Sequence, residues 1–346
     1  MEVLDNYLGL SDDYNYTYDF LPTHEEVVFQ HKPTCLKESM CVSLIVITAV
    51  IFLLGFCGNA LVIWISVFRM KRTVNTTWYV SLAISDFVFC AFLPFSITYM
   101  AMEDWIFGRF MCKFTSSVMF INMFSSIFLL VVISMDRCVS VMFPVWAQNQ
   151  RTVKKASLVV VLAWLLGIIM SLPSMIFRDV GSHLGKTVCF NNYTSLTSQK
   201  FVAGSRFIAG FIVPLIIIIV CYSIIICRLR INRMTKSSKP FKVMSALIVA
   251  FFICWMPYHV FVLLELNHQN YDYKTLTTGL QLGTSLAAAN SFLNPVLYVF
   301  MGNDFKHKFK SCVLSRMENA MGEEGRTISR YLSRSSSVDG RASTHI

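Results

Sequence analysis

Charge is what this chain has least of. Only 14% of its 346 residues are Asp, Glu, Lys or Arg, against about a quarter in soluble proteins. An ordinary water-soluble fold is excluded by the same balance, since 55% of the residues are hydrophobic and the mean hydropathy is +0.57. No internal repeat is visible at solenoid or transporter spacing, which argues against a stacked array and against a carrier built from paired halves. No nucleophile–base set and no metal-ligand spacing of the kind an enzyme needs is present, so the chain is not expected to be an enzyme. The start lacks a basic n-region and an apolar core. A cleaved signal peptide is therefore not expected, and the first apolar run is expected to act as the targeting signal.

What the chain does have is seven long apolar runs, at 41–68, 77–102, 110–135, 153–176, 202–227, 243–266 and 277–301. Each reaches the roughly 20 residues that a helix needs to cross the hydrocarbon core. Unpaired backbone groups are not tolerated in lipid, so each run is predicted to be a helix. The expected fold is an all-α membrane protein, a seven-transmembrane helix bundle over 41–301. An acidic tail (1–40) precedes it, and a short amphipathic eighth helix (302–315) and a polar tail (316–346) follow. Seven crossings put the two ends on opposite sides, which narrows the function to transport or signalling.

The net charge of +10 is distributed against a nucleic-acid reading. Segment 1–40 holds eight acids against Lys32 and Lys37, and 228–242 holds six bases and no acid. Arg69, Lys71 and Arg72 follow the first run, and Arg151, Lys154 and Lys155 follow the third. Basic loops stay in the cytoplasm, so the N-terminus is expected outside and the C-terminus inside. On that topology Asn15 and Asn192 are glycosylation candidates, whereas the Asn75 sequon faces the cytoplasm. Cys112, at the outer end of the third run, and Cys189, in the loop after the fourth, both face the oxidising side and are expected to form a disulfide. Cys35 is left open between a free thiol, Cys41 and another chain. Cys312 follows the amphipathic stretch and is either a palmitoylation site or an inert thiol. Ser333, Ser335, Ser336 and Ser337 form a phosphorylatable cluster. Strand-like segments Phe177–Ser182 and Lys186–Asn191 flank Gly185 and suggest a hairpin.

Polar residues within the runs are costly and mark candidate sites. Asp86 lies mid-run with Asn122, Ser126, Asn290, Ser291 and Asn294 on other runs. Such oxygens suit a small hard cation such as sodium, a hydrogen-bonded structural cluster or a proton path alike. Asp136-Arg137 closes the third run. Either the pair snorkels into headgroups, or Asp136 holds Arg137 until a partner engages it. Pro214, Pro257 and Pro295 are each expected to interrupt helix bonding.

Taken in order, Gly58-Asn59, Leu82-Ala83-Ile84-Ser85-Asp86, Trp105-Ile106-Phe107-Gly108, Asp136-Arg137-Cys138, Trp164, Pro214, Tyr222, Cys254-Trp255-Met256-Pro257 and Asn294-Pro295-Val296-Leu297-Tyr298 resemble the rhodopsin-like (class A) G-protein-coupled receptors. Cys138 departs from the usual Tyr. Met70–Thr76, Asn122–Ser126, Pro144–Thr152 and Lys236–Lys242 are similar to the chemoattractant branch of chemerin, formyl-peptide and complement anaphylatoxin receptors. Phe177-Arg178-Asp179, Cys189–Asn192 and Pro257-Tyr258-His259 look most like the chemerin-receptor group.

The resemblance implies a plasma-membrane receptor for an extracellular chemoattractant peptide or protein, chemerin-like, acting in chemotaxis and inflammation. A formyl-peptide, complement or orphan receptor is the alternative within the branch. The implied partners are membrane lipid, a heterotrimeric G protein of the inhibitory Gi/o class, and arrestin. Arg178, Arg206, Tyr258, Glu265, Gln281 and Trp255 are expected to frame the ligand cavity. Arg206, eight residues before Pro214, lies about 12 Å further out along its helix. Tyr14, Tyr16 and Tyr18, beside acids, suit sulfation. Asp136, Arg137, Tyr222, Tyr298, Pro214, Ile127 and Phe251 are the implied coupling residues, and Asp86 the implied sodium ligand. Residues 277–301 hold no lysine, against a retinal pump or opsin. A seven-helix transporter predicts paired broken helices, which are not seen. A non-signalling scavenger receptor is opposed by the intact Asp136-Arg137 and Asn294–Tyr298 motifs.

Overall fold

The computed structural model describes residues 39–183, 185–231 and 239–301. Eight α-helices occupy most of them: α1 (Ser39–Phe68), α2 (Val74–Met102), α3 (Gly108–Met142), α4 (Pro144–Gln150), α5 (Val153–Phe177), α6 (Leu196–Ile231), α7 (Lys239–Glu265) and α8 (Tyr273–Met301). A two-stranded hairpin, β1 (Arg178–His183) and β2 (Lys186–Asn191), separates α5 from α6. A helix forms over each of the seven apolar runs. Among the described residues, six helices are long and apolar enough to span a bilayer by composition, and α8 is not one of them. It is long enough at 29 residues, about 43 Å at the usual rise. Its polar residues turn inward instead: Ser285, Asn290, Ser291 and Asn294 are all buried.

Local chemistry sets the helix ends. Thr73 and Thr76 cap α2 reciprocally: the Thr76 N–H donates to Thr73 Oγ1 and the Thr73 N–H to Thr76 Oγ1. Ser195 and Ser198 do the same at the start of α6, each exchange satisfying orphan donors. Within α6, Ile208–Ile212 is a π turn, in which the Val213 N–H reaches Ile208 O. Pro214, lacking an N–H, follows directly, and the wider turn accommodates it. Helix α3 runs beyond its apolar stretch to Met142, so Asp136-Arg137 lies inside the helix rather than closing it. Proline also sits inside α2 (Pro94) and α5 (Pro173), two interruptions beyond the three expected.

Buried residues of α2, α3, α6, α7 and α8 form one core around Phe124, Ile127, Ile133, Phe251 and Trp255. Leu53, Ile216 and Ile253 point outward, the pattern of helices solvated by lipid. Backbones approach where side chains are small. A Cβ on Gly283 would meet Tyr258 backbone atoms at 2.8–2.9 Å, and one on Gly58 would meet the Pro295 ring at 3.0 Å.

The first strand begins one residue later than predicted and the second spans the predicted residues, with Val180 opposite Cys189 and a positive φ at Gly185. Cys112 and Cys189 are disulfide-bonded, tying β2 to α3. Cys41 is also in a disulfide. Two ion pairs hold the hairpin to the α2–α3 loop region: Arg109 grips Asp179 through Nε and Nη2, both at 2.8 Å, and Lys186 meets Glu103 at 2.8 Å. The Thr187 N–H donates to Asp104 Oδ1 at 2.7 Å, and the Trp105 N–H to Thr187 O at 2.8 Å. The positions expected to be modified or helical at Asn15, Tyr14, Tyr16, Tyr18, Cys35, Cys312, Ser333, Ser335, Ser336, Ser337 and 302–315 lie outside the described residues.

Candidate functional site

A small, partly open pocket lies at the hairpin end. Strand β2 contributes Asn191, the loop after it Tyr193, α6 Gln199 and Arg206, and α7 Tyr258 and Glu265. Arg206 dominates its chemistry. The residue is only 8% exposed. Its guanidinium carbon stands 3.6 Å from the Phe120 ring centroid, and Nη2 donates to Ser174 Oγ at 2.9 Å. Among the described residues, no acid lies within ion-pair distance of Arg206, and Nε has no hydrogen-bond partner. The Phe120 π face and the hydroxyls of Ser174 and Tyr193 orient this cation without neutralising it. Nearby, Arg178 Nε donates to Ser116 Oγ at 2.8 Å. Burial raises the Tyr193 phenol above its ordinary value, so it stays a neutral donor.

Below the cavity an aromatic column descends into the core. Phe120 and Tyr258 are 6.1 Å apart, Tyr258 and Trp255 5.9 Å, and Trp255 and Phe251 6.0 Å. Phe251 and Ile127 are fully buried, and Pro214 is buried on α6. Of the six expected cavity residues, Arg206, Tyr258 and Glu265 line it, Arg178 stands beside it, and Trp255 lies beneath Tyr258. Gln281 is exposed on α8 and is not part of the lining. Phe120, Ser174 and Tyr193 were not legible as site residues. Phe120 reads as an apolar-run residue until Arg206 is placed over it.

Mid-bundle, Asp86 is completely buried. Asn122 Nδ2 donates to Oδ1 at 2.9 Å and Asn294 Nδ2 to Oδ2 at 2.6 Å. Asn122 Nδ2 also reaches Ser85 Oγ at 3.1 Å, and Ser85 meets Ser125 at 2.7 Å. Asn122 Oδ1, Ser126 Oγ and Asn290 Oδ1 are buried without a partner among the described residues. Orphan oxygens around one carboxylate match the hard ligands that a small monovalent or divalent cation takes.

At the opposite end the expected Asp136–Arg137 hold is absent. Arg151, just after α4, takes Asp136 in a fork, Nε to Oδ1 at 2.7 Å and Nη2 to Oδ2 at 2.8 Å. Arg137 Nη2 donates instead to Asn75 Oδ1 at 2.6 Å, which also accepts from Arg151 Nη2 at 2.5 Å. A planar guanidinium arriving from another segment meets both carboxylate oxygens at once and so takes Asp136 from its chain neighbour. Tyr222 lies half-buried on α6; the Tyr298 side chain falls outside the described residues. In the sequence Asn75 marks a sequon and Arg151 a topology charge, and neither pattern announces the contact.

Residues 58–298 match the family model "7 transmembrane receptor (rhodopsin family)". The chain is similar to chemerin-like receptor 1 of Homo sapiens, 46% identical over 81% of this chain and 80% of the relative. Against the Rattus norvegicus form the figures are 43% identity, 92% and 91%. The C3a anaphylatoxin chemotactic receptor of Danio rerio is 40% identical over 94% of this chain and 88% of its own length.

Proposed function

Because the chain belongs to the rhodopsin family of seven-transmembrane receptors, we propose that it binds the end of a chemerin-like peptide or protein and passes the event to a Gi/o-type G protein. It is a multi-pass chemoattractant receptor and not an enzyme. The hairpin end faces the outside of the plasma membrane on this reading, and the Asp136–Arg137 end faces the cytoplasm.

One observation carries the ligand assignment. A buried arginine faces a pocket with its Nε unpaired and, among the described residues, no acid within ion-pair distance, although Glu265 lines the same pocket. Removing a charge from water without an opposite charge is costly, so Arg206 is matched by an anionic group that arrives from outside. A peptide's terminal carboxylate meets Arg206 and Arg178, whose like charge and fork geometry favour it. Tyr193 donates a hydrogen bond from the rim. Ligand pressure on Tyr258 then bears on Trp255 and Phe251 through the aromatic column, and α7 swings at its cytoplasmic end. The ligand stabilises this arrangement only by binding it more tightly than the silent one.

Asp86, Asn122, Ser126, Asn290 and Asn294 would hold a sodium ion. A bound cation neutralises the buried carboxylate and favours the silent arrangement by linkage. The phosphorylatable tail offers its charge to arrestin.

The deciding experiment is a G-protein dissociation assay in cells given chemerin-derived, formylated or complement-derived peptides. A response to the chemerin-derived peptide that Arg206→Ala abolishes at normal surface expression is expected. Unchanged potency in Arg206→Ala would remove Arg206 from the site. A response confined to another peptide would move the receptor within the branch.

A further inference from the structure

The cytoplasmic cluster contains three charged residues and one amide. Asp136 contributes one negative charge, Arg137 and Arg151 one positive charge each, and Asn75 none. Arg151 claims both oxygens of Asp136. Arg137 is left with a neutral acceptor, Asn75 Oδ1, which it shares with Arg151. It is 9% exposed, and its Nε has no partner among the described residues. A guanidinium in that position takes any free carboxylate within reach. The nearest in sequence is Asp136, and Arg151 has occupied it.

We propose that Arg151 is a positioning residue for coupling: by sequestering Asp136 it keeps Arg137 available to the transducer, with Asn75 fixing the spacing of the two arginines. The inference rests on the transducer coupling proposed above. Its mechanical setting is α4. The Arg151 N–H donates to Ala147 O at 3.0 Å, and Ala147 is buried, so the short helix seats the guanidinium. Without Arg151, Asp136 regains two free oxygens beside Arg137. The pair then closes on itself, and Arg137 must be pulled from an acid before it can meet the G protein. Deleting the acid in that background removes the competitor. A residue that merely held the loop in shape would show no such rescue.

The full-length receptor in cells tests this with the chemerin-derived peptide as agonist. G-protein dissociation is normalised to surface density, and peptide binding is measured in parallel. Arg151→Ala is expected to weaken potency about tenfold, the size of an ordinary coupling term. Arg151→Lys, a single-point donor, falls between Arg151→Ala and wild type. Arg151→Ala combined with Asp136→Asn returns to within about twofold of wild type, a coupling far from additive. Lys154→Ala, an exposed base three residues on, behaves as wild type. A double variant as weak as Arg151→Ala, or an Arg151→Ala variant as potent as wild type, overturns the proposal. The wild-type response itself tests the function assigned above, whereas the ratios among variants test Arg151, so the two failures are separable.

Discussion

At the scale of single residues, the molecule is organised by charges whose partners are not the ones their sequence neighbours suggest. Arg206 is held by a ring and two hydroxyls rather than by an acid. Phe120→Leu keeps an apolar side chain, somewhat smaller, but removes the π face, which contributes about 0.5–2 kcal/mol to such a contact. The expected result is agonist potency about tenfold lower with unchanged expression, read by peptide displacement. Equal potency would mean that the Ser174 and Tyr193 hydroxyls alone orient the guanidinium. At Asp86 the expected outcome concerns ions. Replacing external sodium with choline should raise agonist affinity in the wild type, because linkage removes a ligand of the silent state. Asp86→Asn should erase that difference, and a persisting sodium effect would place the ion elsewhere.

Elements impose their own constraints. Gly283 on α8 lies against the backbone of Tyr258 and Pro257, where no rotamer change can make room. A methyl or isopropyl group there separates α7 from α8 and displaces Tyr258 from the cavity. Overpacking of this kind costs about 1–3 kcal/mol. Gly283→Val is therefore expected to lower the melting temperature of the purified receptor and its affinity together. At Gly279 the nearest atoms to an added Cβ, at 2.1–2.4 Å, all belong to the Phe261 ring, which can rotate where backbone cannot, so Gly279→Ala should do less. If Gly279→Ala is the more damaging, the backbone contact is not limiting. The hairpin has a pH signature. The backbone N–H of Val180, and after it the Arg109 guanidinium, hold the Asp179 carboxyl below the usual carboxylate range. A depressed folded value means that this contribution is complete at neutral pH and is lost only as pH falls through that lower value. Amide exchange over 178–191, corrected for the intrinsic rate, should show the same protection at neutral pH and at about pH 5. Loss of protection at the milder acidity would show that Asp179 had already protonated.

Across the whole molecule, what the sequence reveals depends on range. Seven helices were legible because lipid forces each apolar run to satisfy its own backbone, and the Cys112–Cys189 link because both thiols face one side. Even α8, which falls short of the other six in apolar composition, was legible as the apolar run 277–301. The clamp on Asp136 was not legible: Arg151 lies fifteen residues on, and Asn75 on another helix, and no period relates them. Phe120 beneath Arg206 was hidden for the same reason, since packing between α3 and α6 is not encoded in either segment's pattern. Orientation is the remaining global property, and two sequons test it. Asn192 is exposed just after β2, on the side of the disulfide. Asn75 instead offers its side-chain oxygen to Arg137 and Arg151, on the side of the basic loops. Cytoplasmic retention of Lys and Arg therefore predicts a glycan on Asn192 and none on Asn75. Endoglycosidase treatment of receptor from cells should shift the gel mobility of the wild type, and Asn192→Gln should reduce that shift. Asn75→Gln should leave the shift unchanged, whatever it does to coupling, because the transferase acts only on the lumenal side. A glycan found on Asn75 would invert the bundle, place the cavity around Arg206 in the cytosol, and remove the ligand assignment with it.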